Sequence, residues 1–401
     1  MKKQLQGVVL AAAMVATPAA AQLSNDAVKI GVLTDMAGVT ADITGKGSVA
    51  AAEMAVRDFG GTVLGKPIQI VVGDHQHKAD LGASIAQKWY DADGVDVIVD
   101  IPNSAVALAV QGIARQRKRM VMYSGAGTTA LTNAQCSPYG IHWTYDTFGV
   151  ANGTATAVTK AGGKDWFMLA ADYAFGAQLA ADAKTVIEAN GGKVVGSVRH
   201  PLNTPDYSSF LLQAQSSGAK IVGLANAGLD TTNAIKQGAE FGLMKGGISF
   251  AALIFFVSDV HNLGLETAQG TYLTTASYWD QSDRTRAWSK EFNQKTGLMP
   301  SMLQSGVYGS VLHYLKAVQK AGSDDADKVA AAMREIPIDD IFSTNATIRE
   351  DGKVVRDMWL ARVKKPADSK YPWDYFEIVQ RIPAEQTVWP LSQSTCPLVK
   401  R

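Results

Sequence analysis

Residues 28–61 read VKIGVLTDMAGVTADITGKGSVAAAEMAVRDFGG. The segment 28–33 is a short apolar run of strand length. From 45 to 59 the apolar residues Val49, Ala52, Met54, Ala55, Val56 and Phe59 recur at the spacing of an amphipathic helix. This strand-then-helix pair repeats along the chain. The pattern predicts strands at 68–72, 95–99 and 120–123, with helices from about Asp80 to Tyr90 and over 104–115. Nearly continuous apolar strands separated by helices imply a parallel sheet covered on both faces. After Trp143 to Gly149 the rhythm restarts. Helices are predicted at 148–161, 174–190, 207–216 and 231–241, and strands at 166–170, 194–198, 221–225, 248–256 and 271–276. Three helices follow, at 284–296, 302–321 and 326–335. The end turns to β character: 346–349, the hairpin signal Asp351-Gly352, 354–363 and 375–379.

Two α/β units of similar rhythm therefore make up most of the 401 residues, more than one hydrophobic core usually organises. The aromatic stretch Trp143, Tyr145 and Phe148 marks an ordered passage between them. Paired α/β lobes place a ligand in the cleft where strand ends and helix N-termini meet. Composition narrows the function. Hydrophobic residues are 47% and charged residues 19%, which excludes a disordered chain. A formal net charge of +1 gives no basic footprint for nucleic acid.

The first 21 residues, MKKQLQGVVLAAAMVATPAAA, combine Lys2 and Lys3, a short apolar run and small residues, the pattern of a secretory signal peptide. The run is too short for a membrane-spanning helix. Cleavage is expected after Ala21, leaving a soluble exported chain. It loses two of 38 basic residues against 37 acidic ones, for a net charge of −1. The periplasm is the expected location.

Several motifs invite chemistry. Gly125-Ala126-Gly127-Thr128-Thr129-Ala130 fits the dinucleotide pattern G-x-G-x-x-A with Asp146 downstream, but it follows the fourth predicted strand rather than the first, and Asn133, Gln135 and Pro138 spoil the helix that should follow. The better reading is a turn of exposed N–H groups with the hydroxyls of Ser124, Thr128 and Thr129, a small anion site suited to a carboxylate. A purely structural turn is the alternative. Gly45-Lys46-Gly47-Ser48 lies too far from its strand for phosphate binding, so its glycines are read as the start of a helix at close approach. Asp74, His75 and His77 suggest a metal, yet no third partner is evident and a solvated loop is expected. No nucleophile elbow, zinc-protease or P-loop motif occurs. No enzyme, cofactor or metal is expected. The aromatics Tyr173, Phe175, Tyr278 and Trp279 follow predicted strands and can wall a pocket or fill a core.

VKIGVLTDMAG at 28–38, the PNS after the third strand, SGAGTT at 124–129, DYAFG at 172–176, DVHNLGLETAQG at 259–270 and PSMLQSGVYGSVLHYLKAV at 300–318 together resemble the periplasmic solute-binding proteins of ABC importers, in the type I leucine/isoleucine/valine-binding group. The resemblance implies two lobes, each a mainly parallel sheet flanked by helices, joined by three hinge crossings. Residues 26–146 and 276–352 would form the first lobe, 147–275 and 353–390 the second, and 391–401 a C-terminal tail. It implies a ligand carboxylate held by Asn103, Ser104, Ala126, Gly127 and Thr128. Aromatic closure would come from Tyr173 and Phe175, with Asn226, Phe255 and Tyr278 as further contacts. Asn103 stands where the group commonly has serine. Where the amino-acid binders carry an acid for the ligand ammonium, this chain has Ile254-Phe255-Phe256. An unpaired ammonium in a closed cleft is strongly penalised, so an apolar or aromatic carboxylate, or a keto acid, is favoured over a plain amino acid. The expected partners are that ligand and a membrane permease, with the protein itself a monomer. A ligand sensor of the same fold is the alternative, and a secreted hydrolase a more distant one.

The 2 cysteines, Cys136 and Cys396, cannot build a disulfide scaffold or a four-thiolate zinc site. Export supplies an oxidising compartment, and the two are expected to pair, pinning the tail against the hinge side of the first lobe. The alternative is two free thiols.

Overall fold

The computed structural model describes residues 23–400. The expected signal peptide and its cleavage point lie outside the described residues. The strands are β1 Val28–Thr34, β2 Thr62–Val63, β3 Lys66–Asp74, β4 Val97–Asp100, β5 Met120–Tyr123, β6 Gly140–His142, β7 Asp165–Ala171, β8 Lys193–His200, β9 Ile221–Ala225, β10 Ser249–Ala252, β11 Tyr272–Thr275, β12 Thr347–Ile348, β13 Val354–Val355, β14 Met358–Val363 and β15 Phe376–Ile382. The helices are α1 Gly45–Phe59, α2 Ala79–Asp91, α3 Ser104–Arg117, α4 Thr147–Lys160, α5 Ala174–Ala189, α6 Ser208–Ser216, α7 Leu229–Glu240, α8 Val257–Leu263, α9 Leu265–Ala268, α10 Asp283–Thr296, α11 Met302–Ala321 and α12 Ala326–Glu335.

The first sheet runs β2-β3-β1-β4-β5-β6 and the second β10-β9-β7-β8. Apart from the short β2–β3 pair, every pairing in these two sheets is parallel. Central strands such as β4, β5 and β9 are buried on both faces, as continuous apolar runs require, whereas β8 alternates between exposed and partly buried positions. One face of the first sheet packs on α1, α10, α11 and α12 through Trp143, Trp288, Phe292 and Tyr314. Its other face is covered through Trp89, Tyr90 and Val110 of α2 and α3. The glycines of α1 serve close approach: a Cβ on Gly47 would lie 2.2 Å from Gln304 Nε2. Gln304 belongs to the box that starts α11, where Ser301 Oγ accepts from Gln304 N at 3.2 Å and Gln304 Oε1 accepts from Ser301 N at 2.9 Å. Its Nε2 also donates to Thr44 O at 3.0 Å, which ties α11 to the long β1–α1 loop.

Three sequence expectations change. The apolar run 248–256 is not one strand: β10 ends at Ala252, and Phe256 becomes the N-cap of α8. Asp351-Gly352 does turn a hairpin, but only β13 pairs with β12; the chain then leaves, and β14 joins β11 and β15 in a third, antiparallel sheet. The loop at His75 and His77 is solvated only at Gln76 and Lys78, because His75 is fully buried and the His77 side chain is only 8% exposed.

Cys136 and Cys396 form a disulfide with Cα atoms 5.6 Å apart. The segment before Cys396 lies across both sides of the passage between lobes. Gln386 O accepts from Asn152 Nδ2 of α4 at 2.8 Å, Trp389 O from Arg349 Nη1 at 2.9 Å, and Thr387 Oγ1 donates to Arg356 O at 2.9 Å.

Candidate functional site between the lobes

The turn after β5 has its carbonyl oxygens occupied. Tyr145 donates its hydroxyl to Gly125 O at 2.9 Å, His142 Nε2 lies 2.8 Å from Ala126 O, and Thr147 N donates to Gly127 O at 2.8 Å. Among the described residues, the N–H groups of Ala126 and Gly127 have no protein partner. A Cβ on Gly127 would sit 2.8 Å from both Phe175 and Tyr145, so glycine is required for this approach. Thr128 N donates to Ser104 Oγ at 3.3 Å, joining the turn to the start of α3. That contact uses the Ser104 oxygen as acceptor and leaves its proton to give. Unpaired N–H groups and hydroxyl donors gathered at a helix start favour an anionic oxygen.

Asn103 is the N-cap of α3. Its Oδ1 accepts from Ala105 N at 2.9 Å and Val106 N at 3.1 Å, and its Nδ2 lies 3.0 Å from His77 Nδ1. His77 Nε2 lies 2.7 Å from Asp35 Oδ2, which also accepts from the N–H and hydroxyl of Thr40 at 2.9 and 2.8 Å. Burial alone would raise the Asp35 pKa, but His77 and Thr40 hold it well below the usual carboxylate range. Burial, reinforced by His77, lowers the pKa of neighbouring His75 to about 4. Backbone strain gathers here: φ is 49° at Gln76, 55° at His77, 79° at Asp100 and 54° at Ile101, all left-handed and none glycine.

The opposite wall comes from the second lobe. Thr40, Ile43, Pro102, Gly125, Tyr145, Tyr173, Phe175, Ala227, Phe256 and Leu303 line a tightly closed cavity of about 10 Å³. The lobes touch beside it: Leu229 N donates to Val39 O at 3.1 Å, and Asn262 Nδ2 donates to Asp42 Oδ2 at 2.9 Å. Burial, with the Asp230 carboxylate nearby, pushes the Tyr173 hydroxyl pKa up, keeping it a neutral hydrogen-bond donor. No lining side chain is charged. Two nearby acids, Asp230 and Asp259, are engaged elsewhere. Asp230 accepts from Asn203 N, Thr204 N and the Tyr207 hydroxyl at 3.2, 3.1 and 3.0 Å. Asp259 Oδ2 accepts from Phe256 N at 3.0 Å.

The structure brings most sequence candidates together. Tyr173 and Phe175 line the cavity, Gly127 abuts Phe175, and Ser104 meets Thr128. Asn226 is instead buried in a polar cluster, with Nδ2 3.0 Å from His200 Nε2 and Oδ1 accepting from Thr231 Oγ1 at 2.7 Å. Phe255 and Tyr278 are not cavity residues. Both lie in the second-lobe core, and the Tyr278 hydroxyl donates to Trp373 O at 3.0 Å and accepts from Tyr375 N at 3.1 Å. The physical reasons are direction and alternation: β11 runs in an antiparallel sheet, so its end faces Trp373, and Phe256 rather than Phe255 turns toward the other lobe. Sequence reasoning missed Thr40 and Ile43, whose one signal is the long stretch between β1 and α1, and His77, whose partners are remote in sequence.

The model of the periplasmic binding protein family matches residues 27–370. A solved periplasmic binding protein from Burkholderia mallei is 52% identical, covers 94% of this chain and 100% of its own, and superposes with a TM-score of 0.92. A branched chain amino acid ABC transporter periplasmic ligand-binding protein from Burkholderia xenovorans is 42% identical, with coverage of 93% and 100% and a TM-score of 0.83. A solute binding protein of an ABC transporter from Rhodopseudomonas palustris, in complex with 3,4-dihydroxybenzoic acid, is 24% identical over 90% of this chain and 98% of its own, with a TM-score of 0.81, a likeness of fold. Two lobes built on parallel sheets, closed on an uncharged cavity, and a family match over most of the length lead to one conclusion: the chain belongs to the periplasmic binding protein family.

Proposed function

We propose that this protein captures a small carboxylate with an apolar or aromatic body in the periplasm and delivers it to the permease of an ABC importer. Residues 1–21 serve as the export signal and are removed after Ala21. The mechanism is hinge closure. A ligand that touches the N–H turn of the first lobe and the aromatic wall of the second gains its full contact only when the lobes meet, so it shifts that equilibrium toward the closed form. Ser104, Thr128 and the turn at Ala126 and Gly127 hold the carboxylate. Tyr173, Phe175 and Phe256 cover the body.

One observation carries the reading: none of the ten residues around the cavity is charged. An α-ammonium enclosed there would lose its hydration without an opposite charge to replace it. The dihydroxybenzoate complex of the Rhodopseudomonas relative supports an aromatic acid in this fold, whereas the name of the Burkholderia xenovorans relative points to amino acids. Calorimetric titration decides. Benzoate, 3,4-dihydroxybenzoate or 4-methyl-2-oxopentanoate should bind at least about tenfold more tightly than leucine, a difference of roughly 1.4 kcal/mol. Leucine binding more tightly than all three overturns the reading.

A further inference from the structure

The Asn103 side chain has a fixed polarity. Its Oδ1 is committed to the backbone of α3 by two hydrogen bonds, so its amide nitrogen is the end that faces His77. At the far side of the ring, His77 Nε2 meets the Asp35 carboxylate, which when ionised can only accept. The imidazole proton therefore sits on Nε2, and Nδ1 presents a lone pair to Asn103. Asp35, His77 and Asn103 form one directional chain from the β1–α1 loop to the start of α3. Among the described residues, Asn103 Nδ2 has no second acceptor. One amide hydrogen stays uncommitted at the same helix start as the Ser104 hydroxyl. The loop holds His77 at φ 55° to bring the ring there, strain that persists only where the surroundings over-determine it.

The second lobe repeats the arrangement. The sheet orders β3-β1-β4 and β8-β7-β9 are equivalent. In each, a histidine at or just beyond the end of one outer strand pairs with an asparagine just beyond the other. His200 Nδ1 donates to Pro201 O at 2.8 Å, so its Nε2 accepts from Asn226 Nδ2 at 3.0 Å. The Asn226 oxygen is likewise occupied, by Thr231 Oγ1. Twice, then, an imidazole lone pair accepts from an asparagine amide whose oxygen is held elsewhere.

We infer that His77 is a positioning residue for ligand specificity: by accepting one hydrogen of Asn103, whose oxygen the start of α3 already holds, it fixes the direction of the other amide hydrogen and commits the first-lobe site to an anionic oxygen. The inference rests on the carboxylate reading above. Two acid–amide pairs, benzoate with benzamide and 4-methyl-2-oxopentanoate with its primary amide, are titrated into the unaltered protein, His77→Asn and His77→Gln. Asparagine can keep an acceptor near the Nδ1 position; glutamine reaches the Nε2 position and keeps Asp35 but not Asn103. The unaltered protein and His77→Asn should prefer the tighter acid over its amide by at least about tenfold, within the range of a hydrogen bond to a charged group. His77→Gln should bring that ratio to within roughly threefold of unity.

A wild-type ratio in His77→Gln overturns the role of His77 and leaves the carboxylate reading standing. An unaltered protein that binds neither acid, or binds the amide as tightly, overturns that reading and this inference with it. Should a variant fail to fold, nitrogen-15 correlation spectra of the unaltered protein give an independent answer. A proton on Nε2 and a bare Nδ1 at His77 are expected; a proton on Nδ1 overturns the inference.

Discussion

Val39 and Leu229 join the two lobes through a single carbonyl oxygen: Val39 O accepts from Leu229 N at 3.1 Å, and the intervening approach is open only because residue 228 is glycine. A Cβ on Gly228 would stand 2.2 Å from that oxygen, and φ there is 61°. Alanine at this position strains the backbone in any state by about 1–3 kcal/mol, but the collision with Val39 exists only when the lobes meet. Gly228→Ala should therefore weaken binding of benzoate or 4-methyl-2-oxopentanoate by at least about tenfold, since closure and binding share one equilibrium. Small-angle scattering with saturating acid should show a larger radius of gyration than the unaltered protein. Equal affinity would show that this contact does not govern closure.

Ala227 offers a way to supply the charge that the cavity lacks. It lines the space beside Tyr173 and Phe256 and is the smallest side chain there apart from Gly125. Ala227→Asp places a carboxylate where an ammonium could pair and where a ligand acid would be repelled. The affinity ratio of leucine to 4-methyl-2-oxopentanoate should rise at least about tenfold over that of the unaltered protein. Calorimetry of both ligands measures it, and an unchanged ratio would place the ligand nitrogen away from this wall.

Asp100 gives a pH test. Burial raises its pKa from 3.8 to about 7, with Ser48 and Thr34 pulling partly the other way, and neither carboxylate oxygen has a hydrogen-bond partner within the described residues. Between about pH 4 and pH 7 the folded chain keeps a proton that the unfolded chain has lost, so this group lowers stability as pH rises through that window and reaches its full cost above it. Asparagine stays neutral and tolerates the 79° φ. The melting temperature of Asp100→Asn, taken relative to the unaltered protein, should be a few degrees higher at pH 8 than at pH 4. A difference that does not vary with pH would mean that Asp100 is ionised in the fold at low cost.

The alternation of strands and helices was legible because β4, β5, β7 and β9 are continuous apolar runs between helix-periodic segments. Periodicity cannot say what covers an apolar residue, however. Leu253, Ile254 and Phe256 look like more of β10, yet they are buried by the meeting of the lobes, with Ile43, Met302 and Leu303 in the same cluster. Tyr278 followed a strand, as a cleft residue would, but strand direction depends on the partner, and β14 begins 83 positions after β11 ends (275 to 358). The turn at 125–128 was readable from its glycines and hydroxyls. His77 was not, since its meaning depends on Asp35 and Asn103, separated from it by 42 and 26 positions.

The bond between Cys136 and Cys396 spans 260 positions. Tyr145, Tyr173, Phe175, Ala227, Phe256 and Leu303 of the cavity all fall inside the covalent ring it closes. That ring cannot form until Cys396 has been translated. A chain terminated between the two carries Cys136 as a lone thiol. Oxidation of this one pair is thus a chemical receipt of synthesis through Cys396: a single alkylation step and a mass measurement sort molecules that carry the closed ring from shorter fragments without reference to what either of them binds.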